Sequence, residues 1–378
     1  MIGFNFNDDG GSNPTVSEQG RDRQVTGIDV VQQYNAAGDP VFTPDGKPAV
    51  DIYVTSSDPR HGAGSNGGDK NLDTNSGVVH RLREVNDAAS VSNPDDAFET
   101  VDLVRGFARS EENHSINGLE IIQEFDSNGK LVSERAIVAV GGNANNGAPS
   151  NNFAAQPEYA TSAAIFEIDI TMLDGMNVQT DETSPGVFRD YIYDLPTLDD
   201  PSQTGTNDVN DPFGGNDGFN GTILLSNSDP NNPVTMYSPG YRNAYDVEVT
   251  DDGRVWTYAN GANTTWGGRP IGEAGDNGGI VDFLQDPNYI ATNLNNGDGN
   301  SNDEISLENW DPSNNDNFHE ITRSDDLGTR SLSVGGNGAV TTYIDPDTNL
   351  ELVYGGHPNP TRAEGSKAGL LYSPGGTD

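Results

Sequence analysis

Short runs of alternating apolar and polar residues, set between turn-forming pairs, recur along most of the chain. Residues 41–54 read VFTPDGKPAVDIYV, two β-rich runs around Asp45-Gly46. Residues 119–142 hold the pair Asn128-Gly129 and end in an apolar run at 136–140, and residues 246–261 read DVEVTDDGRVWTYANG around Asp252-Gly253. Residues 340–356 read VTTYIDPDTNLELVYGG, with a turn at 345–349. Asp-Gly or Asn-Gly between alternating runs predicts a β-hairpin, because both residues accept the positive φ of a two-residue turn. Residues 76–85 (SGVVHRLREV) and 162–170 (SAAIFEIDI) alternate as single strands. No window of about twelve residues holds a 3.6 period without a Gly, Pro or Asn-Gly interruption. The predicted fold class is therefore all-β. Hairpins separated by long polar loops point to radially repeated sheets, a β-propeller ahead of an array of β-sandwiches. The spacing is too uneven for a tight repeat such as WD40.

Two stretches read as loop insertions. Residues 180–220 carry Pro185, Pro196, Pro201 and Pro212 and little apolar material, and residues 267–317 are rich in Gly, Asn and Asp, with one short apolar run at 280–284. Loops of that length are functional or disordered. Nothing resembles a linker dividing the chain, so residues 1–378 are expected to form a single domain with long Asn/Asp/Gly-rich loops.

Charge narrows the partners. The 59 acidic residues outweigh 19 basic ones, for a net charge of −40. Such a surface repels nucleic acid phosphates and anionic membranes. The basic residues divide into 4 Lys and 15 Arg, and acidic excess with so few Lys reads as adaptation to salt, where screening weakens self-repulsion. Divalent cations are the other natural partner of the carboxylates, although most acidic side chains are expected simply to be solvated. The chain has no Cys, which excludes disulfides and thiolate metal sites. The first twenty residues lack the basic and apolar regions of a signal peptide, and no run approaches the ~20 apolar residues of a membrane span. The expectation is a protein soluble inside a cell or a piece of a longer exported protein, without membrane insertion.

Four clusters could carry chemistry. In residues 109–119 (RSEENHSINGL), His114 stands just before a strand among Glu111, Glu112, Asn113 and Asn117. A neutral imidazole there can take a proton from an alcohol; a surface loop histidine is the alternative. In residues 237–261, Arg242-Asn243 follows Gly240 and precedes a strand, where a guanidinium can grip a carboxylate or carbonyl oxygen or merely cap a turn. Residues 354–362 (YGGHPNPTR) place His357 in a backbone stiffened by prolines, which fits a pocket wall or a structural turn. Residues 295–304 (NNGDGNSNDE) alternate oxygen side chains as a cation loop would, but Asp303 and Asn309 stand where an EF-hand counted from Asp298 needs Gly and Glu. There is no GxSxG, HExxH, Walker loop or dinucleotide-binding glycine motif.

Three segments together resemble the soluble PQQ-dependent glucose/sorbosone dehydrogenases, a family of six-bladed quinoprotein β-propellers. The first is His114-Ser115-Ile116-Asn117-Gly118-Leu119, followed by an Asn-Gly hairpin and Gly141-Gly142-Asn143. The second is Gly240-Tyr241-Arg242-Asn243, then Asp252-Gly253-Arg254 and Asn260-Gly261-Ala262-Asn263. The third is Asp316-Asn317-Phe318-His319-Glu320-Ile321, then Tyr354-Gly355-Gly356-His357-Pro358-Asn359. The resemblance spans about residues 23–363 and is nearer to the sorbosone-type variants embedded in large exported proteins. It implies a propeller lacking parts of its first and last blades, and other domains of a larger parent chain as partners.

Roles follow from the resemblance residue by residue. His114 matches the general base that takes the proton from a sugar's hydroxyl while hydride passes to PQQ. Arg242 and Asn243 match the pair that contacts PQQ and polarises its carbonyl. Asn260 falls where the family uses Gln to hold the cofactor, and Asp316 is a further cofactor contact. Gly261 and Ala262 fall where backbone carbonyls bind calcium, with Ala262 in place of Pro. The implied activity is oxidation of a sugar or related polyol in an extracellular or periplasmic setting. Two alternatives remain open: a non-catalytic extracellular propeller binding glycan, calcium or protein, and a lactonase- or esterase-like propeller whose calcium activates water.

Overall fold

The computed structural model describes residues 23–59, 75–86, 91–92, 97–143, 145, 153, 162–184, 187–195, 232–261, 317–321, 328–333 and 339–344. Over these residues the chain is all-β, with one five-residue helix. The first sheet has the order β1-β2-β3-β4-β9-β8, built from β1 (Gln24–Gln32), β2 (Val50–Ser57), β3 (Gly77–Glu84), β4 (Phe98–Phe107), β8 (Gln179–Ser184) and β9 (Val187–Asp194). The second has the order β10-β7-β6-β5, from β5 (Ile116–Phe125), β6 (Leu131–Val140), β7 (Ala164–Asp169) and β10 (Val234–Pro239). The third is β11 (Ala244–Val249), β12 (Val255–Ala259) and β13 (Asn317–Ile321), and β14 (Gly328–Ser333) pairs with β15 (Ala339–Ile344).

The chain turns at the three pairs read from sequence, but only the glycine of each takes positive φ, so each is a turn closed by a left-handed glycine and not a two-residue turn with both residues left-handed. Gly46, Gly129 and Gly253 have φ of 81°, 79° and 81°, and each donates its N–H back across its turn to Thr43, Asp126 or Thr250. Two of the three form hairpins, β5–β6 and β11–β12. In residues 41–54 only the second run becomes a strand; the first makes the isolated bridge Phe42↔Pro48, because Pro40 and Pro48 cannot donate to a ladder. The strand read at 162–170 stops at Asp169, whose carboxylate caps the helix α1 (Ile170–Asp174) by accepting from Met172 N at 2.8 Å.

Burial explains the unbroken apolar run in the second half of β6, residues 136–140. Its residues alternate between two cores, as a strand covered on both faces requires. Ala136, Val138 and Val140 join Tyr53, Val79, Leu103 and Phe107 of the first sheet, along with Phe166, Ile170 and Leu173. Ile137 and Ala139 join Tyr241, Val247, Val255 and Ile321 around the third sheet. The second sheet is thus packed between the first and the third.

The leading strands β1, β5 and β11 lie side by side, β5 touching both of the others. Glycine makes the approach: a Cβ on Gly27 would sit 2.7 Å from Asn117 O, and one on Gly118 would sit 2.7 Å from Asp246 Cα. The stretch at 180–220 corrects the sequence expectation, since β8 and β9 occupy its beginning. This hairpin leaves the second sheet after α1 and crosses to the first, where β9 runs parallel to β4. Arg105 fastens it, bonding Asp194 Oδ2 at 2.8 Å and lying 3.5 Å above the Tyr191 ring. The insertion at 267–316, the run 345–356 and the cluster at 295–304 lie outside the described residues.

Candidate functional site

His114 lies in the turn that feeds β5, and this turn is fixed by backbone and guanidinium together. Ser110 N donates to His114 O and His114 N donates to Ser110 Oγ, both at 2.9 Å. Arg109, fully buried, donates to the carbonyls of Asp58, Ser110 and His114. The imidazole is 2 % exposed, and its Nδ1 is 2.8 Å from Gly142 O. A carbonyl only accepts, so Nδ1 carries the proton, and Nε2 is the basic nitrogen whenever the imidazole is neutral.

Arg242 enters from the turn before β11. Its carbonyl accepts from Gly142 N at 2.7 Å, so one glycine peptide group bonds His114 on one side and Arg242 on the other. Its Nε and Nη2 donate to Asn145 O and Oδ1 at 2.7 and 2.9 Å. The Phe153 ring lies against both residues, 5.1 Å from the His114 ring and 5.9 Å from the guanidinium carbon. The two side chains singled out from sequence, 128 positions apart, therefore share one buried locus.

Asn243 is the third member. A Cβ on Gly141 would lie 2.7 Å from Asn243 Oδ1 and 2.7 Å from His114 Cβ, so only glycine fits between them. Asn260 N donates to Asn243 O at 3.2 Å, which brings half-buried Asn260 and Gly261 beside the locus. Ala262, Asp316 and His357 lie outside the described residues. Backbone irregularity holds the junction: Ala163 has φ 54°, a left-handed conformation costly for a residue with a Cβ, and its carbonyl accepts from both Gly240 N and Tyr241 N.

Sequence reasoning gave no role to Arg109, Asn117, Gly142, Asn145 or Phe153. Arg109 and Asn117 stood inside the recognised motif, and Gly141-Gly142 in the following one. Nothing in the polar run around Asn145 and Phe153 marks them out.

Two further clusters emerge. Ser56, His80 and Asp102, on β2, β3 and β4, form a relay: Ser56 Oγ is 2.5 Å from His80 Nε2, and His80 Nδ1 is 2.7 Å from Asp102 Oδ1. Arg23 Nε donates to Ser56 Oγ at 2.7 Å. The order matches that of nucleophile, base and orienting carboxylate. None of the three exceeds 2 % exposure, and the relay pins the adjacent strands β2, β3 and β4 together. The second cluster joins Glu120 with Asp29, Glu248 and Asp246 across β5, β1 and β11. Burial first, and then these neighbouring charges, push the Glu120 carboxyl up to about 7. Among the described residues no group of three or more His, Asp or Glu is arranged to hold a metal ion.

No family model matches the chain, and no curated protein matches it significantly.

Proposed function

We propose that the chain is a six-bladed β-propeller of the soluble quinoprotein sugar dehydrogenase kind, acting on a sugar or related polyol with PQQ and calcium. The observation that carries the reading is the junction of His114 and Arg242 through the Gly142 peptide and the Phe153 ring. Three stacked sheets with touching leading strands support the propeller. In that arrangement the loops entering β5 and β11 belong to successive blades and open at one end of the axis.

The residues present suit the quinone end of such a cofactor. Arg242 and Asn243, adjacent in the chain, are both able to donate to quinone oxygens, and Gly261, beside Asn260, would offer its carbonyl as a hard oxygen ligand for calcium. Asn260 and, outside the described residues, Ala262 and Asp316 would complete the contacts. PQQ, when bound, supplies the hydride acceptor. His114 Nε2 would take the hydroxyl proton while a hydride leaves the carbon bearing that hydroxyl, Gly142 O would keep the ring's own proton on Nδ1, and Phe153 would shield the imidazole face. Arg242 and Asn243 would donate to the cofactor's oxygens and stabilise negative charge there.

The test is reconstitution of the chain with PQQ and calcium chloride, reading dye reduction with glucose and other aldoses. Turnover that His114→Ala and Arg242→Ala abolish supports the reading; cofactor binding without turnover for any sugar removes the catalytic claim. The burial of both side chains, 2 % and 6 % exposed, favours a second reading: a non-catalytic propeller in which they only lock adjacent blades. There the two alanine variants would lose stability while glycan or calcium binding persisted.

A further inference from the structure

Asn117 spends its whole side chain on neighbours in the His114 and Arg242 segments. Its Nδ2 donates to Ala244 O at 2.7 Å and to Asn243 Oδ1 at 2.9 Å, and its Oδ1 accepts from Ser115 Oγ at 3.1 Å. A backbone carbonyl has no proton, so the bond to Ala244 O settles which end of the Asn117 amide is nitrogen. That orientation then settles Asn243. An amide oxygen must face the Asn117 nitrogen, and the Asn243 NH2 group points the other way. Asn117 and Asn243 are 4 % and 6 % exposed, so neither amide can exchange these partners for water without moving strands.

Resting on the cofactor reading above, we propose that Asn117 is a positioning residue that holds Asn243 with its donor end outward. Held so, the Asn243 amide turns its NH2 group away from Asn117, and a ligand set against it must bring a carbonyl or carboxylate oxygen. A ligand presenting a donor there is rejected, because it would leave two donors facing each other in a buried space.

The test compares Asn117→Asp with Ser115→Ala in the full chain. A carboxylate at 117 faces two acceptors, so the Asn243 amide turns over and presents oxygen where it had presented nitrogen. Ser115→Ala leaves the Ala244 carbonyl in place to orient Asn117. Equilibrium binding of PQQ in calcium chloride should weaken by at least about tenfold in Asn117→Asp and by less than about twofold in Ser115→Ala. In NMR of the wild-type chain, both Asn117 side-chain N–H protons, assigned by their loss in Asn117→Asp, should exchange slowly with solvent. Equal binding by the two variants, or rapid exchange of those protons, overturns the proposal. If Asn117→Asp fails to fold, Asn117→Ser replaces it, and the wild-type exchange measurement stands by itself. A wild-type chain that binds no PQQ overturns the cofactor reading instead, and the exchange rates still decide whether the amides are locked.

Discussion

Replacing Glu120 by Gln should stabilise the protein, and only where the pH is high enough for the carboxylate to be charged. Glu120 has its pKa raised from 4.5 to about 7, by burial and by Asp29, Glu248 and Asp246. In the unfolded chain the group ionises near its ordinary value. The folded chain holds the proton more tightly, so stability falls as pH rises from about 4.5 through about 7 and then levels. The full shift, at about 1.4 kcal/mol per pH unit, would correspond to about 3.5 kcal/mol. The side chain is only half-buried, and solvent screening reduces the recoverable amount to about 1 kcal/mol. Gln keeps the shape and removes the charge. Urea titrations at low salt should therefore show Glu120→Gln more stable than wild type by about 1 kcal/mol at pH 8 and indistinguishable at pH 4. In 1 M salt, where the Debye length is about 3 Å, the gain at pH 8 should shrink toward the part due to burial. A variant no more stable than wild type at pH 8, or equally stabilised at both pH values, would refute the claim that carboxylates on three adjacent leading strands repel one another.

Three other outcomes follow from the packing. Gly118→Ala puts a Cβ 2.7 Å from the Asp246 backbone and should cost about 3 kcal/mol or more, seen as a lowered urea midpoint; a loss under about 0.5 kcal/mol would contradict the close approach of β5 and β11. Tyr53→Phe removes the hydroxyl that donates to buried Glu134 and leaves that carboxylate with Gln123, a loss of about 1–3 kcal/mol by chemical denaturation. Asp194→Asn discards the carboxylate held by Arg105 and should make the β8–β9 hairpin the first site of limited proteolysis, while the β5–β6 hairpin stays resistant.

What the sequence disclosed about the fold was its punctuation. The chain turns at Asp45-Gly46, Asn128-Gly129 and Asp252-Gly253 because the left-handed glycine that closes each turn depends on local backbone chemistry alone. Strands that depend on distant partners escaped. The hairpin β8–β9 reads as polar loop because QTDETS carries no apolar alternation and Pro185 suggested a break; its partner β4 is more than eighty residues away in the chain. β1 was concealed by Gly27, whose missing side chain is what lets β5 approach. The site divides in the same way. His114, Arg242 and Asn243 were legible through the phrases that surround them, whereas the pairing of their turns through Gly142 is a product of the stacked sheets. Phe153 and Asn145 come from a stretch without periodicity, and only their positions against His114 and Arg242 give them meaning.

The detour of β9 to the edge of β4 has a consequence for the order of assembly. A hairpin closes over a few residues, but the parallel contact of Asp102 with Tyr191 encloses every strand of the second sheet except β10. The outermost strand of that sheet, β10, comes after the excursion in the chain, so completing the second sheet draws the ends of the enclosed segment together. The first two sheets are thereby sewn into a single cooperative unit whose slowest event is this long loop closure. Amide protons on β4 and β10 should accordingly gain protection in the same late phase of refolding, although they sit in different sheets.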